Sequence, residues 1–305
     1  MQLEGIHHIT AITGDAPRNV DFYAGVLGLR MVKKTVNQDD PTVYHLFYAD
    51  EKGSAGADIT FFEYPNAQPG RAGAGMVYRV TWRVGSRDAL GFWEDRLRSQ
   101  GVEVRSSGET LVFADPEGLE LELRVSDVSD QPLVARHPDV PAEMALQGFD
   151  GVRAYTADIA ASRSLLEQTL GFTPRGEETF EARGSDRGGL YAYDVSTTRG
   201  VQGAGTVHHV AWASEMDDHD AWRQRVAAAG MNVTPVIDRF YFRSIYFREP
   251  SGVLFEIATL GPGFDADEPL ESLGEALSLP PDYEHLRGQL EKILTPLPNP
   301  RRERV

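Results

Sequence analysis

The 305-residue sequence predicts an α+β fold built from four copies of a strand–helix–strands module. Two observations predict it: segments recur in the same order along the chain, and each begins with a strand pattern followed by helical spacing. Gly5–Asp15 (GIHHITAITGD) aligns without a gap with Gly148–Asp158 (GFDGVRAYTAD), and the same offset carries Leu27–Leu29 onto Leu170–Phe172. Several such matches in one order indicate duplication.

Two further matches, between the later part of the first half and the later part of the second half, indicate a second module in each half. Asp115–Glu122 (DPEGLELE) matches Glu249–Glu256 (EPSGVLFE), and Met76–Trp82 (MVYRVTW) matches Thr206–Trp212 (TVHHVAW). Each half therefore contains two modules.

Module one shows the local pattern most clearly. Ile6–Thr13 is short and rich in β-branched residues, which predicts a strand. Asp15 suits a helix N-cap with Pro17 in the first turn, and Gly28 can end the helix. The helical spacing between them is carried by Val20, Tyr23, Ala24 and Leu27. Further strands are predicted over Val43–Tyr48 and Ile59–Phe62.

The other modules follow the same order. Module two has a predicted strand at Val77–Val84, a helix at Asp88–Gln100 and a last strand at Leu119–Val125. Modules three and four extend over about Gly148–Val195 and Val207–Thr259.

The chain is divided into an N-terminal domain at 1–126, a linker at 127–146, a C-terminal domain at 147–260 and a tail at 261–305. The linker is rich in Pro and Asp, and the tail offers a helix at Asp282–Ile293.

Composition excludes several classes of function. The chain has no cysteine, so disulfides, thiolate metal sites and cysteine nucleophiles are excluded, and any metal must be held by His, Asp or Glu. A net charge of -16 without a basic stripe argues against nucleic acid as a partner. The N-terminus lacks a signal-peptide pattern and no apolar run is long enough to span a membrane, so a cytoplasmic protein is expected.

Two histidine doublets, His7–His8 and His208–His209, lie on the first strands of modules one and four. A single strand histidine is more often a hydrogen-bonded, partly buried residue than a ligand, but two doublets at equivalent positions favour a site. Glu256 lies in an apolar strand of module four, where a carboxylate either faces solvent or needs a partner.

The other two modules have lost these residues. The position equivalent to His8 in module three is Gly151, and that equivalent to His209 in module two is Arg79. Glu122 keeps the carboxylate without a histidine partner. We therefore predict one site, built between modules one and four.

Two histidines and one carboxylate form a facial triad that leaves open positions on an octahedral ion, which suits iron(II). Zinc also accepts two histidines and a glutamate, so the triad alone does not choose between oxygen chemistry and hydrolysis.

The motifs GIHHIT, FYAGVLGL, TVHHVAW and EPSGVLFE resemble the glyoxalase, bleomycin-resistance and extradiol dioxygenase superfamily. Asp39–Tyr48 followed by Thr60–Phe62 resembles its subgroup of ring-cleaving dioxygenases acting on hydroquinones. The resemblance covers about residues 1–260. It implies four βαβββ modules paired into two vicinal oxygen chelate domains with curled mixed sheets.

The resemblance also implies a site. It places the metal ligands at His8, His209 and Glu256, with Fe(II) expected and Mn(II), Zn(II) or Ni(II) as alternatives. The residues implied around the metal are His7, Thr10, His208, Arg239 and Tyr246.

Each of these neighbours has an implied role. Tyr246 would hydrogen-bond a substrate oxygen, Arg239 would stabilise anionic oxygen, and Thr10 would contact substrate. His7 or His208 would move a proton. His7 and His8 should face opposite sides of an ideal strand, so both can border one site only if the strand twists or bulges.

The function implied is an Fe(II)-dependent, extradiol-type ring-cleaving dioxygenase whose partners are a hydroquinone or catechol and O2. The alternatives are a glyoxalase-type metal-dependent isomerase or lyase, and a non-enzymatic protein that binds a small molecule. No Gly-rich dinucleotide fingerprint is present. Whether the chain forms a homo-oligomer is left open.

Overall fold

The computed structural model describes residues 1–300 and contains four βαβββ modules followed by a C-terminal tail, which confirms the predicted fold class. Module one comprises β1 (Ile6–Thr13), α1 (Ala16–Val20) with a π-helical continuation (Asp21–Val26), β2 (Arg30–Asn37), β3 (Asp40–Ala49) and β4 (Asp58–Glu63). Module two comprises β5 (Met76–Val84), α2 (Arg87–Ser99), β6 (Arg105–Ser107), β7 (Thr110–Ala114) and β8 (Glu120–Val125).

The second half repeats this order. Module three comprises β9 (Phe149–Thr156), α3 (Ala160–Ser164) with a π-helical continuation (Leu165–Thr169), β10 (Thr173–Pro174), β11 (Thr179–Arg183) and β12 (Gly188–Val195). Module four comprises β13 (Val207–Ser214), a 3₁₀ turn (Met216–Asp218), α4 (His219–Ala228), β14 (Ile237–Asp238), β15 (Phe242–Arg248) and β16 (Leu254–Pro262).

The first helix begins and ends where its sequence signals predict. The Asp15 side chain accepts a hydrogen bond from the Arg18 backbone N–H at 3.1 Å, and Pro17 lies in the first turn. Gly28, after the π-helical turn, has φ 71°, and its equivalent Gly171 has φ 76°. A residue with a side chain adopts this left-handed conformation at a cost, which explains glycine at both repeats.

The strands form two eight-stranded mixed sheets that combine modules in a crossed manner. One sheet has the order β14-β15-β16-β13-β1-β4-β3-β2 and joins module one to module four. The other has the order β10-β11-β12-β9-β5-β8-β7-β6 and joins module two to module three. Each sheet thus takes strands from both sides of the segment 127–146, and the division into domains at 1–126 and 147–260 stays a prediction.

Equivalent positions of modules two and four carry the same buried residue type in the core. Trp82 of β5 and Trp212 of β13 occupy equivalent strand positions and are fully buried, as are Trp93 of α2 and Trp222 of α4. Burying such large aromatic side chains contributes strongly to stability, so the helices are held against the sheets at matching places.

The tail lies against module one. The helix predicted at Asp282–Ile293 is a 3₁₀ turn (Pro281–Leu286) followed by α5 (Arg287–Ile293), and residues 301–305 of the predicted tail lie outside the described residues. Shorter 3₁₀ turns precede it at Phe264–Ala266 and Leu270–Ser272. Across residues 1–300, no helix has the length and apolar character needed to cross a membrane.

Candidate metal centre

Three neighbouring strands bring the predicted ligands together. His8 lies on β1, His209 on β13 and Glu256 on β16, which are adjacent in the first sheet. The Nε2 atoms of the two histidines are 3.3 Å apart, and Glu256 Oε2 lies 3.3 Å from His8 Nε2 and 2.9 Å from His209 Nε2. These three atoms form a compact triangle that could hold a metal ion.

The triangle is buried, and its carboxylate is incompletely satisfied. Glu256 Oε1 accepts a hydrogen bond from the Ser244 hydroxyl, but Oε2 has no well-oriented hydrogen-bond partner among the described residues. A buried charged oxygen without a partner is costly, and a cation between the three atoms would remove that cost. Neighbouring ligands on an octahedral ion with bonds of about 2.1 Å lie about 3.0 Å apart, which fits the observed separations.

The protonation states suit cation binding. Burial lowers the pKa of His209 despite the neighbouring carboxylate. Burial alone would raise the pKa of Glu256, but the imidazoles of His8 and His209 hold it well below its ordinary value. A neutral imidazole and an ionised carboxylate are the forms that coordinate metals.

β-Bulges resolve the problem of consecutive histidines. The pairing of β1 with β13 shifts register between Ile6 and His8, so His7 is an extra residue on β1, and a second shift leaves His208 as an extra residue on β13. A bulge turns a side chain away from the strict alternation of a strand. His7 and His208 consequently lie beside their neighbouring ligands.

Ring contacts within each doublet set the protonation of the ligands. His7 Nε2 lies 3.1 Å from the carbonyl oxygen of Thr259, which only accepts, so the proton of His7 is on Nε2. His7 Nδ1 lies 2.9 Å from His8 Nδ1 and must accept from it. His8 therefore carries its proton on Nδ1 and presents the Nε2 lone pair to the triangle.

The second doublet repeats this contact, with 2.8 Å between the Nδ1 atoms of His208 and His209. Burial, together with the adjacent ring, lowers the pKa of both His7 and His208 to about 3. Both rings are neutral, as the tautomer argument requires. Their predicted proton-moving role stays a prediction.

The triangle opens onto a small cavity. Its walls include aromatic side chains, and its lining contains the two predicted residues Arg239 and Tyr246. Tyr246 on β15 pairs directly with Glu256 on β16, which explains their ten-residue spacing as a cross-strand contact. The Tyr246 ring also packs edge-on against His209, with ring centroids 5.8 Å apart.

Arg239 is held from two sides. Its guanidinium donates to both carboxylate oxygens of Asp39, at 3.0 and 2.8 Å, and lies 5.5 Å from the centre of the Tyr246 ring. Burial raises the pKa of Tyr246, so its phenol keeps its proton at neutral pH. The cavity therefore contains the Arg239 cation and the Tyr246 hydroxyl donor, both close to the triangle of His8, His209 and Glu256.

The remaining predicted residues lie behind the cavity lining. His7 and His208 contact the ligands as described, and Thr10 is fully buried with its hydroxyl 2.8 Å from that of Thr60. Sequence reasoning missed Ser244, which orients Glu256, because a serine in a strand carries no signal of its own.

His45 was also missed as a site residue. Its ring lines the cavity, although the sequence offered only its place within Asp39–Tyr48 as a signal.

The family model described as Glyoxalase/Bleomycin resistance protein/Dioxygenase superfamily matches residues 5–123 and 148–257. A Bacillus subtilis (strain 168) protein provisionally named ring-cleaving dioxygenase MhqO is 44% identical over 301 residues, covering 96% of each chain. The Chlorohydroquinone/hydroquinone 1,2-dioxygenase of Sphingobium indicum is 33% identical over 315 residues, again covering 96% of each.

A solved structure agrees with these relatives. The crystal structure of a protein from Bacillus subtilis subsp. subtilis str. 168, provisionally named a dioxygenase, superposes with a TM-score of 0.90 at 39% identity. The match covers 97% of this chain and 98% of that one.

Proposed function

The chain belongs to the glyoxalase, bleomycin resistance protein and dioxygenase superfamily, and we propose that it is an iron(II)-dependent, extradiol-type ring-cleaving dioxygenase acting on a hydroquinone or catechol. The observation that carries the proposal is the buried triangle of His8, His209 and Glu256, which opens onto a cavity with aromatic walls. The aromatic side chains of the lining offer apolar surface to the face of a small aromatic molecule. The name of the Sphingobium relative supports the substrate class.

The ligands of the metal would be His8 Nε2, His209 Nε2 and a carboxylate oxygen of Glu256. When bound, iron(II) would leave neighbouring positions for a hydroxylated aromatic and O2 and would carry charge between them. The chain's contribution is to hold the three ligand atoms in place, through the Nδ1 contacts of the doublets and the hydroxyl of Ser244.

The residues around the triangle orient the substrate. The protonated Tyr246 phenol donates a hydrogen bond to a substrate oxygen, and the Arg239 cation stabilises negative charge that develops on oxygen. Phe62 and Phe242 wall the cavity and exclude water, which strengthens both interactions. Orientation of two reactants in one cavity is itself a large part of the rate enhancement.

The test is oxygen consumption by the protein loaded anaerobically with iron(II). We expect O2 uptake with a hydroquinone or a catechol, tried separately, and an open-chain product detected by its absorbance, without added nicotinamide or flavin. Glu256→Gln should retain the fold and lose O2 uptake, because the isosteric amide removes the anionic ligand.

Two outcomes would overturn the proposal. Iron-loaded protein that consumes no O2 over a broad aromatic panel, yet isomerises a thiol adduct of an α-ketoaldehyde with nickel or zinc, would be a glyoxalase-type isomerase. Protein that retains no metal and binds an aromatic molecule without turnover would be a binding protein.

A further inference from the structure

His45 on β3 is a polar residue of the cavity lining. The proposed function gives roles to His8, His209 and Glu256 and to Arg239 and Tyr246, but none to His45. Its imidazole lines the cavity and is packed between the rings of Phe47 and Phe62, with centroid distances of 4.0 and 4.4 Å. Two aromatic neighbours at these distances fix the plane of the ring. Two orientations related by a 180° flip share this plane, and the contact of Nε2 with Thr60 selects one of them.

One of these nitrogens ends a chain of hydroxyl groups. His45 Nε2 lies 2.8 Å from Thr60 Oγ1, which lies 2.8 Å from Thr10 Oγ1. If Thr10 donates to Thr60 and Thr60 donates to His45, each hydroxyl proton has an acceptor. The reverse direction would leave the Thr10 proton without an acceptor among the described residues, in a fully buried position.

The favoured direction places the His45 lone pair on Nε2 and its proton on Nδ1. Burial, together with the nearby rings of His8 and His209 and the Arg239 cation, lowers the pKa of His45 well below its ordinary value. The ring is therefore neutral, with a single N–H. Nδ1 has no hydrogen-bond partner in residues 1–300, so this donor is available to a molecule in the cavity.

The position of His45 indicates which oxygen it would meet. Phe62 lies beside both His45 and His209, at centroid distances of 4.4 and 6.5 Å, so a phenyl ring occupies the wall between this donor and a metal ligand. In a catechol the two oxygens are neighbours, and both are within reach of one metal ion. In a hydroquinone the second oxygen lies on the far side of the ring from the first.

We propose that His45 Nδ1–H donates a hydrogen bond to the substrate oxygen that does not bind the metal, so that His45 selects a hydroquinone over a catechol. This rests on the proposed dioxygenase function and narrows its substrate class. His45 is then a substrate-binding residue that determines specificity, and Thr60 is a positioning residue that holds the required tautomer.

The test measures binding of two matched phenols to anaerobic iron(II)-loaded protein by calorimetry. 4-Methoxyphenol and 4-ethylphenol have nearly the same size, but only the first has an acceptor atom opposite the hydroxyl. Wild-type protein should prefer 4-methoxyphenol by about 2- to 12-fold, the effect of one hydrogen bond. His45→Phe should abolish the preference without loss of iron.

Two substitutions separate the nitrogens of His45. The amide nitrogen of His45→Asn takes the place of Nδ1 and should keep the preference, whereas that of His45→Gln takes the place of Nε2 and should lose it. Thr60→Val should reduce the preference, because Nε2 is no longer held as an acceptor. Equal behaviour of the Asn and Gln variants, or no preference in the wild type, overturns the proposal.

Turnover distinguishes this inference from the proposed function. We expect the ratio of kcat/KM for hydroquinone over catechol to fall in His45→Gln and to persist in His45→Asn. Oxygen uptake without these differences would refute the role of His45 alone. A methoxyphenol preference in protein that consumes no O2 would refute the dioxygenase activity alone.

Discussion

The histidine doublets place a second imidazole directly beside each predicted histidine ligand. A ligating histidine usually donates its second N–H to a carboxylate, a carbonyl or water. Here the Nδ1 of His7 accepts it from His8 at 2.9 Å, and the Nδ1 atoms of His208 and His209 make the equivalent contact at 2.8 Å. An imidazole acceptor adds no charge, so the carboxylate of Glu256 supplies the negative charge within the triangle.

Removal of one ligand should remove the metal. We expect His8→Ala, His209→Ala and Glu256→Gln each to reduce metal affinity by more than about 100-fold, since even outer partners of ligands are worth 10- to 100-fold. Metal analysis after anaerobic dialysis measures this, with the exposed His285→Ala as the control. A variant that keeps full iron content would strike that residue from the ligand set.

The bulges of β1 and β13 are features of strand pairing that the residues of one strand do not determine alone. The sequence predicted strand β1 with its true ends, because six of its eight residues are β-branched or apolar and turn signals flank them. It could not predict that His7 is an extra residue, because a bulge depends on how β1 pairs with β13, about two hundred positions away. His45 escaped prediction for a related reason: it is a lone histidine with no repeat partner.

A buried lysine binds the tail to the sheet that carries the candidate metal site. Lys33 of β2 is fully buried, and its ammonium group donates to the carbonyl of Phe264, to Asp267 at 2.8 Å and to Glu268. Asp267 also accepts from the hydroxyl of Tyr241, a residue that lines the cavity. The tail thus supports one wall of the site.

Lys33→Met should therefore lower the free energy of unfolding by about 1.5–3 kcal/mol, because the buried ammonium group loses its charge-assisted hydrogen bonds to Asp267 and Glu268. Lys34→Met is the matched control: its ammonium group makes one 3.4 Å contact with a carbonyl, and we expect a loss of about 1 kcal/mol or less. Urea unfolding of both variants measures the difference. Equal losses would show that the lysine does not hold the tail.

At the scale of the whole molecule, the internal duplication allowed the site to be predicted from the sequence. The site itself forms because module one pairs with module four in one sheet. Sequence comparison identified modules one and four as carriers of His8, His209 and Glu256, because repeats reveal which positions have been kept. It did not reveal that these modules share one sheet, since strand order depends on contacts between distant segments. That shared sheet is what brings β1 beside β13 and β16.

The second sheet carries the counterpart of the site in a degenerate form. Gly151 replaces a histidine, and a Cβ there would lie 2.5 Å from the Leu190 carbonyl oxygen, so a histidine has no room. Arg79 replaces the other histidine and donates to Glu122 at 2.8 Å. A guanidinium group therefore fills the place that a metal ion would take.

Glu122→Gln should accordingly leave the metal content of the protein unchanged, in contrast to Glu256→Gln. It should lower the free energy of unfolding by about 1–3 kcal/mol, because Glu122 is buried and accepts charge-assisted hydrogen bonds from Arg79 and Arg124. Metal analysis and urea unfolding on the same samples separate the two effects. Loss of metal from a normally folded variant would reveal a second metal site, and the assignment of a single site to modules one and four would be wrong.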